Sequence, residues 1–159
     1  MLIAVAVTEF FVTLLLVSLT VILLYLIFQS VPLDTLWRDS PPMGLLFTSI
    51  ILMAIFSAAF CIQWILFAFG FISNKQENTL NFIAVGLPFI GIQIFYIGAT
   101  FGVFAQRIYF FLFPMKPLRK ANLIIMVTVI PISLTLALCS TLANAIHTPR
   151  DIVPLPEGT

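Results

Sequence analysis

Four long runs of apolar residues divide the chain, and short polar stretches separate them. The runs cover about residues 2–28, 43–72, 80–113 and 121–146, where we predict four helices. A helix needs roughly 20 apolar residues to cross about 30 Å of hydrocarbon. None of the runs alternates apolar and polar residues as the strands of a membrane β-barrel do. The pattern predicts an all-α membrane protein with four transmembrane helices in one domain, residues 1–159.

Composition favours a bilayer over water as the surroundings of this chain. Hydrophobic residues make up 62% of the sequence and charged residues 8%. Soluble domains usually carry roughly 25% charged residues. The first run lacks the basic start of a signal peptide, and it exceeds the roughly 7 to 15 apolar residues of a signal-peptide core. We therefore predict that it is a retained span.

Positively charged residues are unevenly distributed between the two ends of the predicted helices. One end, formed by the first and third connections, holds Arg38, Arg107, Lys116, Arg119 and Lys120. The other end holds Lys75 and Arg150. Because an excess of Lys and Arg marks the cytoplasmic side, we predict a multi-pass protein of the plasma membrane. Its N-terminus and its tail, residues 147–159, are expected outside.

Residue types that catalyse reactions or bind metals are sparse in this sequence. The single histidine, His147, follows the last run, and the two cysteines, Cys61 and Cys139, lie in different runs. Glu9 is the one acidic residue inside a predicted helix, near the outer end, where its carboxylate can reach water. We therefore predict no enzyme, no metal, no cofactor and no nucleic-acid partner.

The third run combines polar residues and glycines at helical spacing. Gln93, Tyr96 and Thr100 are three or four residues apart and share one face of a helix. Such residues line a ligand cavity or form hydrogen bonds with another helix. Gly98 and Gly102 form a G-x-x-x-G pair, which lets a second helix approach closely. We predict a helix-packing role for these two glycines.

The stretch "AQRIYFFLFPMKPLRK", residues 105–120, resembles the inner end of helix three in rhodopsin-like seven-helix receptors. In that superfamily an acid–Arg–aromatic triplet ends helix three, a proline follows seven residues after the arginine, and a basic loop comes next. Here Gln106–Arg107–Ile108 occupies the triplet, and Pro114 lies seven residues after Arg107. The basic residues that follow are Lys116, Arg119 and Lys120.

Within that superfamily the chain looks most like the nematode serpentine chemoreceptors, whose first inner loop ends in sequence similar to "WRDSPPMGLLF", residues 37–47. The resemblance covers four helices, so it implies a truncated or partial G-protein-coupled chemoreceptor. When complete, such a receptor binds a small ligand from outside and signals to a heterotrimeric G-protein. Two departures are that Gln106 replaces the acid and that no cysteine occurs near Phe82.

The resemblance also implies roles for particular residues. Residues 106–108 and Pro114 would couple to the G-protein, with the basic residues Lys116, Arg119 and Lys120 beside that surface. The positions expected to face the ligand are Phe89, Gln93 and Tyr96.

Two other classes of protein fit the same residues. The first is a four-span structural or interaction protein, in which Arg107 only ends a helix and the Gly98–Gly102 pair docks other membrane helices. The second is a small transporter or channel subunit, with Glu9 or Gln93 in its pathway. The scarcity of charges within the predicted helices makes the transporter the weaker of the two alternatives.

Overall fold

The computed structural model describes residues 2–72, 76–114 and 118–147, and five helices account for nearly all of them. They are α1 (Leu2–Ser30), α2 (Leu33–Asp39), α3 (Pro41–Ala68), α4 (Gln76–Leu112) and α5 (Leu118–His147). The four longer helices are long and apolar enough to cross a membrane. The described ranges contain no strand, which confirms the all-α class and the four predicted spans.

The end of α3 differs from the prediction. The apolar run continues to residue 72, but the helix ends at Ala68. Gly70 follows with a φ of 78°, in the left-handed region that favours glycine. Its N–H donates to the Phe67 carbonyl at 3.0 Å, and the Phe71 N–H donates to the Leu66 carbonyl at 3.0 Å. This pair of hydrogen bonds is a Schellman motif. The left-handed glycine therefore ends the helix although the apolar run continues beyond it.

The first connection contains a short helix, α2, which the pattern of apolar runs does not predict. Pro32 immediately precedes this helix and Pro41 begins α3, so neither proline interrupts the seven residues between Pro32 and Ser40. Trp37 holds α2 against α3 by donating from Nε1 to Thr48 Oγ1 at 3.2 Å. A Cβ on Gly44 would lie 2.7 Å from Trp37 Cγ, so this contact requires glycine.

Helix α4 is the centre of the bundle, with α3 packed on one side and α5 on the other. α1 and α2 both pack on α3, and α3 also touches α5. The buried apolar core is small and lies where three helices meet, at Leu45, Ala99 and Val129. α1 therefore has one extensive neighbour, and most of its circumference faces outward.

α4 and α5 approach each other closely at Gly98. A Cβ on Gly98 would lie 2.8 Å from the Cβ of Ser133, which is itself buried. At Gly102 the nearest atom to such a Cβ, Val129 Cγ2, is at 3.5 Å, an ordinary contact distance. Both glycines of the G-x-x-x-G pair thus face α5, but only at Gly98 would an added Cβ overlap a neighbouring side chain.

Three polar side chains of α1 are satisfied within the helix. Thr13, Ser18 and Thr20 each donate a hydroxyl hydrogen bond of 2.8 to 2.9 Å to the backbone carbonyl four residues earlier. The large apolar side chains around them are about half exposed. Because a polar group in hydrocarbon is costly without a partner, this arrangement suits a helix surrounded by lipid.

A comparison of two glycine substitutions tests the α4–α5 contact. We expect Gly98→Ala to destabilise the protein by about 1–3 kcal/mol, because the new methyl group overlaps Ser133. Gly102→Ala is the matched control and should change stability by no more than about 1 kcal/mol. The measurement is the unfolding midpoint in mixed micelles, followed by circular dichroism. Equal effects of the two substitutions would contradict the packing described for Gly98.

Candidate functional site at the charged end of the bundle

A buried polar network joins three helices at the end of the bundle that carries most of the positive charge. The Gln106 side chain of α4 donates from Nε2 to Asn122 Oδ1 at 2.8 Å and to Ser40 Oγ at 2.9 Å. The Ser40 hydroxyl in turn donates to Gln106 Oε1 at 3.1 Å. Gln106 is 8% exposed and Asn122 is 5% exposed, so the network is enclosed by protein.

The local structure at the start of α3 explains why the Ser40 side chain is available to the network. Ser40 lies between α2 and α3, and its backbone N–H closes α2 by bonding to the Leu36 carbonyl at 2.8 Å. Its side chain does not cap α3, although serine is a favoured residue at that position. Because Pro41 and Pro42 at the start of α3 have no backbone N–H to offer, the hydroxyl is available to Gln106.

Arg107 follows Gln106 in the chain but has very different surroundings. Its side chain is exposed, and it forms no ion pair with any residue that the structure describes. The salt bridge observed in those ranges joins Arg38 and Asp39 at 3.3 Å, with both side chains mostly exposed. The Gln106 side chain is thus fixed by hydrogen bonds, whereas the Arg107 side chain is exposed at the surface.

The other residues predicted at this end are also largely exposed. Ile108 is 58% exposed, and Pro114 lies in the turn just after α4. Arg119 and Lys120 lie in the first turn of α5, and both are exposed. Lys116 lies outside the described residues.

The three positions expected to face a ligand have different surroundings. Phe89 stacks on Phe60 of α3, with ring centroids 5.6 Å apart and an interplanar angle of 10°. Tyr96 lines a cavity of about 400 Å³ between α1, α3 and α4, together with Thr13 and Ser57. Gln93 is exposed on α4 and does not line that cavity.

The remaining candidates for chemistry stay separate. Glu9 is exposed on α1, Cys61 is buried and Cys139 is exposed, and both cysteines are free thiols. The side chain of His147 lies outside the described part of the structure. Within that part, no three His, Cys, Asp or Glu side chains come together as a metal site.

Sequence reasoning did not identify Asn122 or the side-chain role of Ser40. Asn122 is the second residue of the last apolar run and follows a basic pair closely, so this position has the appearance of a solvated helix end. A polar amide one turn inside an apolar helix is nevertheless a signal, because buried polar groups nearly always have partners. The partner itself cannot be read from spacing, since Ser40 is 66 residues from Gln106.

Comparison of the chain with protein-family models, with curated proteins and with solved structures finds no match. The fold and composition therefore define its class on their own. The chain is a multi-pass membrane protein with four apolar helices, a buried amide network and a cluster of exposed cations at one end.

Two glutamines on α4 provide a matched test of the network. We expect Gln106→Met to destabilise the protein by about 1–3 kcal/mol, because it leaves the Asn122 carbonyl oxygen buried without its donor. Gln93→Met changes the same residue type on the exposed face and should have an effect below about 0.5 kcal/mol. Unfolding midpoints in mixed micelles measure both. A Gln106→Met protein as stable as wild type would show that the network contributes little.

Proposed function

We propose that this chain forms the first four helices of a G-protein-coupled chemosensory receptor of the plasma membrane, with its N-terminus outside. In the complete receptor a small ligand binds from outside and shifts the bundle between two states. The observation that carries the proposal is the contrast between Gln106 and Arg107 at the inner end of the third span.

The geometry around Gln106 suits an arginine that must meet a partner. The amide anchors this turn of α4 to Ser40 and Asn122, so the backbone position of the next residue is fixed. An amide is neutral and does not neutralise the neighbouring guanidinium, as the acid of the usual triplet would. Arg107 is therefore a positioned cation without a described ion-pair partner, which suits a residue that contacts a G-protein.

The outward face of α4 supports the need for more helices than four. Ile97, Phe101, Phe104 and Ile108 repeat at spacings of four and three residues, and each is more than half exposed. Gln93 continues the same row, and its amide forms no hydrogen bond with a described residue. It lies about 21 Å along the helix from Arg107, well inside the hydrocarbon. An unpaired amide at that depth favours contact with another helix over lipid.

A second candidate function rests on this same row of residues. A four-span interaction protein would use the face around Gln93, Phe101 and Phe104 to dock a helix of another membrane protein. In that case Arg107 is only an interfacial anchor of α4. The two proposals therefore differ in whether Arg107 acts on a partner.

The transcript beyond the codon of Thr159 distinguishes the two proposals. For a receptor we expect three further apolar segments of roughly 20 residues in the same reading frame. Sequencing of the full-length transcript measures this directly. A stop codon immediately after Thr159 would contradict the receptor and favour the four-span interaction protein.

Nucleotide exchange tests the role of Arg107 in the complete receptor. With the purified full-length protein in lipid nanodiscs, we expect Arg107→Gln to lower ligand-free nucleotide exchange on a heterotrimeric G-protein at least tenfold. Arg38→Gln removes one positive charge from the same end and serves as the control, with an expected change below twofold in nanodiscs that contain no anionic lipid. If both substitutions act equally, the effect is one of general charge and Arg107 has no coupling role.

A further inference from the structure

A cavity of about 730 Å³ lies at the charged end of the bundle, and Arg107 is not among the residues that line it. Its rim is polar and comes from two separate parts of the chain, Arg38 and Asp39 at the end of α2 and Arg119 in the first turn of α5. Its floor comes from α5 and is mostly apolar, at Leu123, Met126 and Val127, with Asn122 of the polar network also in the lining.

The charge of this cavity is favourable for an anion. Two arginines and one aspartate line the rim, which leaves one positive charge in excess. Arg38 and Asp39 form an ion pair at 3.3 Å, but both side chains are mostly exposed, and such pairs contribute little. The Arg38 guanidinium therefore turns toward a bound anion at small cost.

The start of α5 adds to the same electrostatic preference. Its first turn contains Arg119 and Lys120 and no acidic residue. Cations at a helix N-terminus oppose the helix dipole, whose positive end favours negative charge. An anion held between Arg119 and Arg38 compensates both the side chains and the dipole.

The shape of the cavity indicates that the anion carries an apolar tail. Arg119, Leu123, Met126 and Val127 follow one face of α5, so the charged rim continues into an apolar groove. From Arg119 to Val127 the helix rises about 12 Å, which reaches from the headgroup level into the hydrocarbon. An inorganic anion satisfies only the rim, whereas a phospholipid satisfies the rim and the floor.

We propose that this cavity is a binding site for one anionic phospholipid, whose phosphate lies between Arg38 and Arg119 and whose acyl chain lies along Leu123, Met126 and Val127. A lipid in this position bridges α2 and α5, whose residues Ser40, at the end of α2, and Asn122, in α5, both bond to Gln106. The site thereby stabilises the charged end of the bundle in membranes that contain anionic lipid.

Native mass spectrometry of the full chain in detergent, with added phosphatidylserine or phosphatidylcholine, tests the proposal. We expect a single phosphatidylserine to bind at least tenfold more tightly than phosphatidylcholine. One basic residue near an anionic lipid contributes about 1 kcal/mol, which corresponds to about a fivefold change in affinity. Arg38→Gln and Arg119→Gln should therefore each weaken phosphatidylserine binding about fivefold, and the double variant about 25-fold.

Two controls separate this site from diffuse attraction and from a site for free anions. Lys120→Gln removes the neighbouring positive charge, but Lys120 does not line the cavity, so its effect should stay below twofold. Glycerophosphoserine, which has the headgroup without the acyl chains, should not displace the lipid at equal concentration. Every variant is first checked for wild-type helical content by circular dichroism.

Three results would overturn the proposal. An effect of Lys120→Gln as large as that of Arg119→Gln would mean that the lipid senses only the surface charge. Equal binding of phosphatidylcholine would mean that the cavity is apolar in function and that its arginines are not used. Displacement by glycerophosphoserine at equal concentration would identify a site for a free phosphate.

Discussion

The hydrogen bonds of the Gln106 amide are the interaction on which the charged end of this bundle depends. A buried amide without partners costs about 1–3 kcal/mol for each unsatisfied group. Gln106 avoids this cost only when Ser40 and Asn122 are both within reach, so the start of α3, the end of α4 and the start of α5 must meet at one place. The network thereby fixes the relative register of three helices that share little buried apolar surface.

Elsewhere the bundle is held by close backbone approach more than by a large core. Lipid tails are as apolar as leucine, so burial of apolar side chains gives little preference for helix over lipid. Gly98 compensates by letting α4 contact Ser133 of α5 directly, and Gly44 lets the Trp37 side chain approach the backbone of α3. α1 has no such close contact with α4, and its one extensive neighbour is α3.

The groups around each exposed cation determine which kind of partner it suits. Arg107 forms no ion pair in the described structure, while Arg38 pairs with Asp39 and Arg119 lines the same cavity as that pair. The cations at this end thus fall into two groups. Arg107 stands alone and suits a protein partner, whereas Arg38 and Arg119 border an apolar groove and suit a lipid. A count of basic residues per loop contains no such division.

The sequence by itself determined the solvent, the helical class and the number of spans, because these follow from apolar runs that are longer than a bilayer requires. The sequence did not show that α2 is a helix or that Gly70 ends α3 early. Both predictions followed the composition of the segment, whereas the local backbone geometry decides where a helix begins and ends. Only the tertiary structure joined Gln106 to Ser40 and Asn122, and Arg38 to the cavity beside Arg119. Hydrogen bonds and cavities form between residues distant in the chain, and hydrophobic periodicity contains no information about which helix faces will meet.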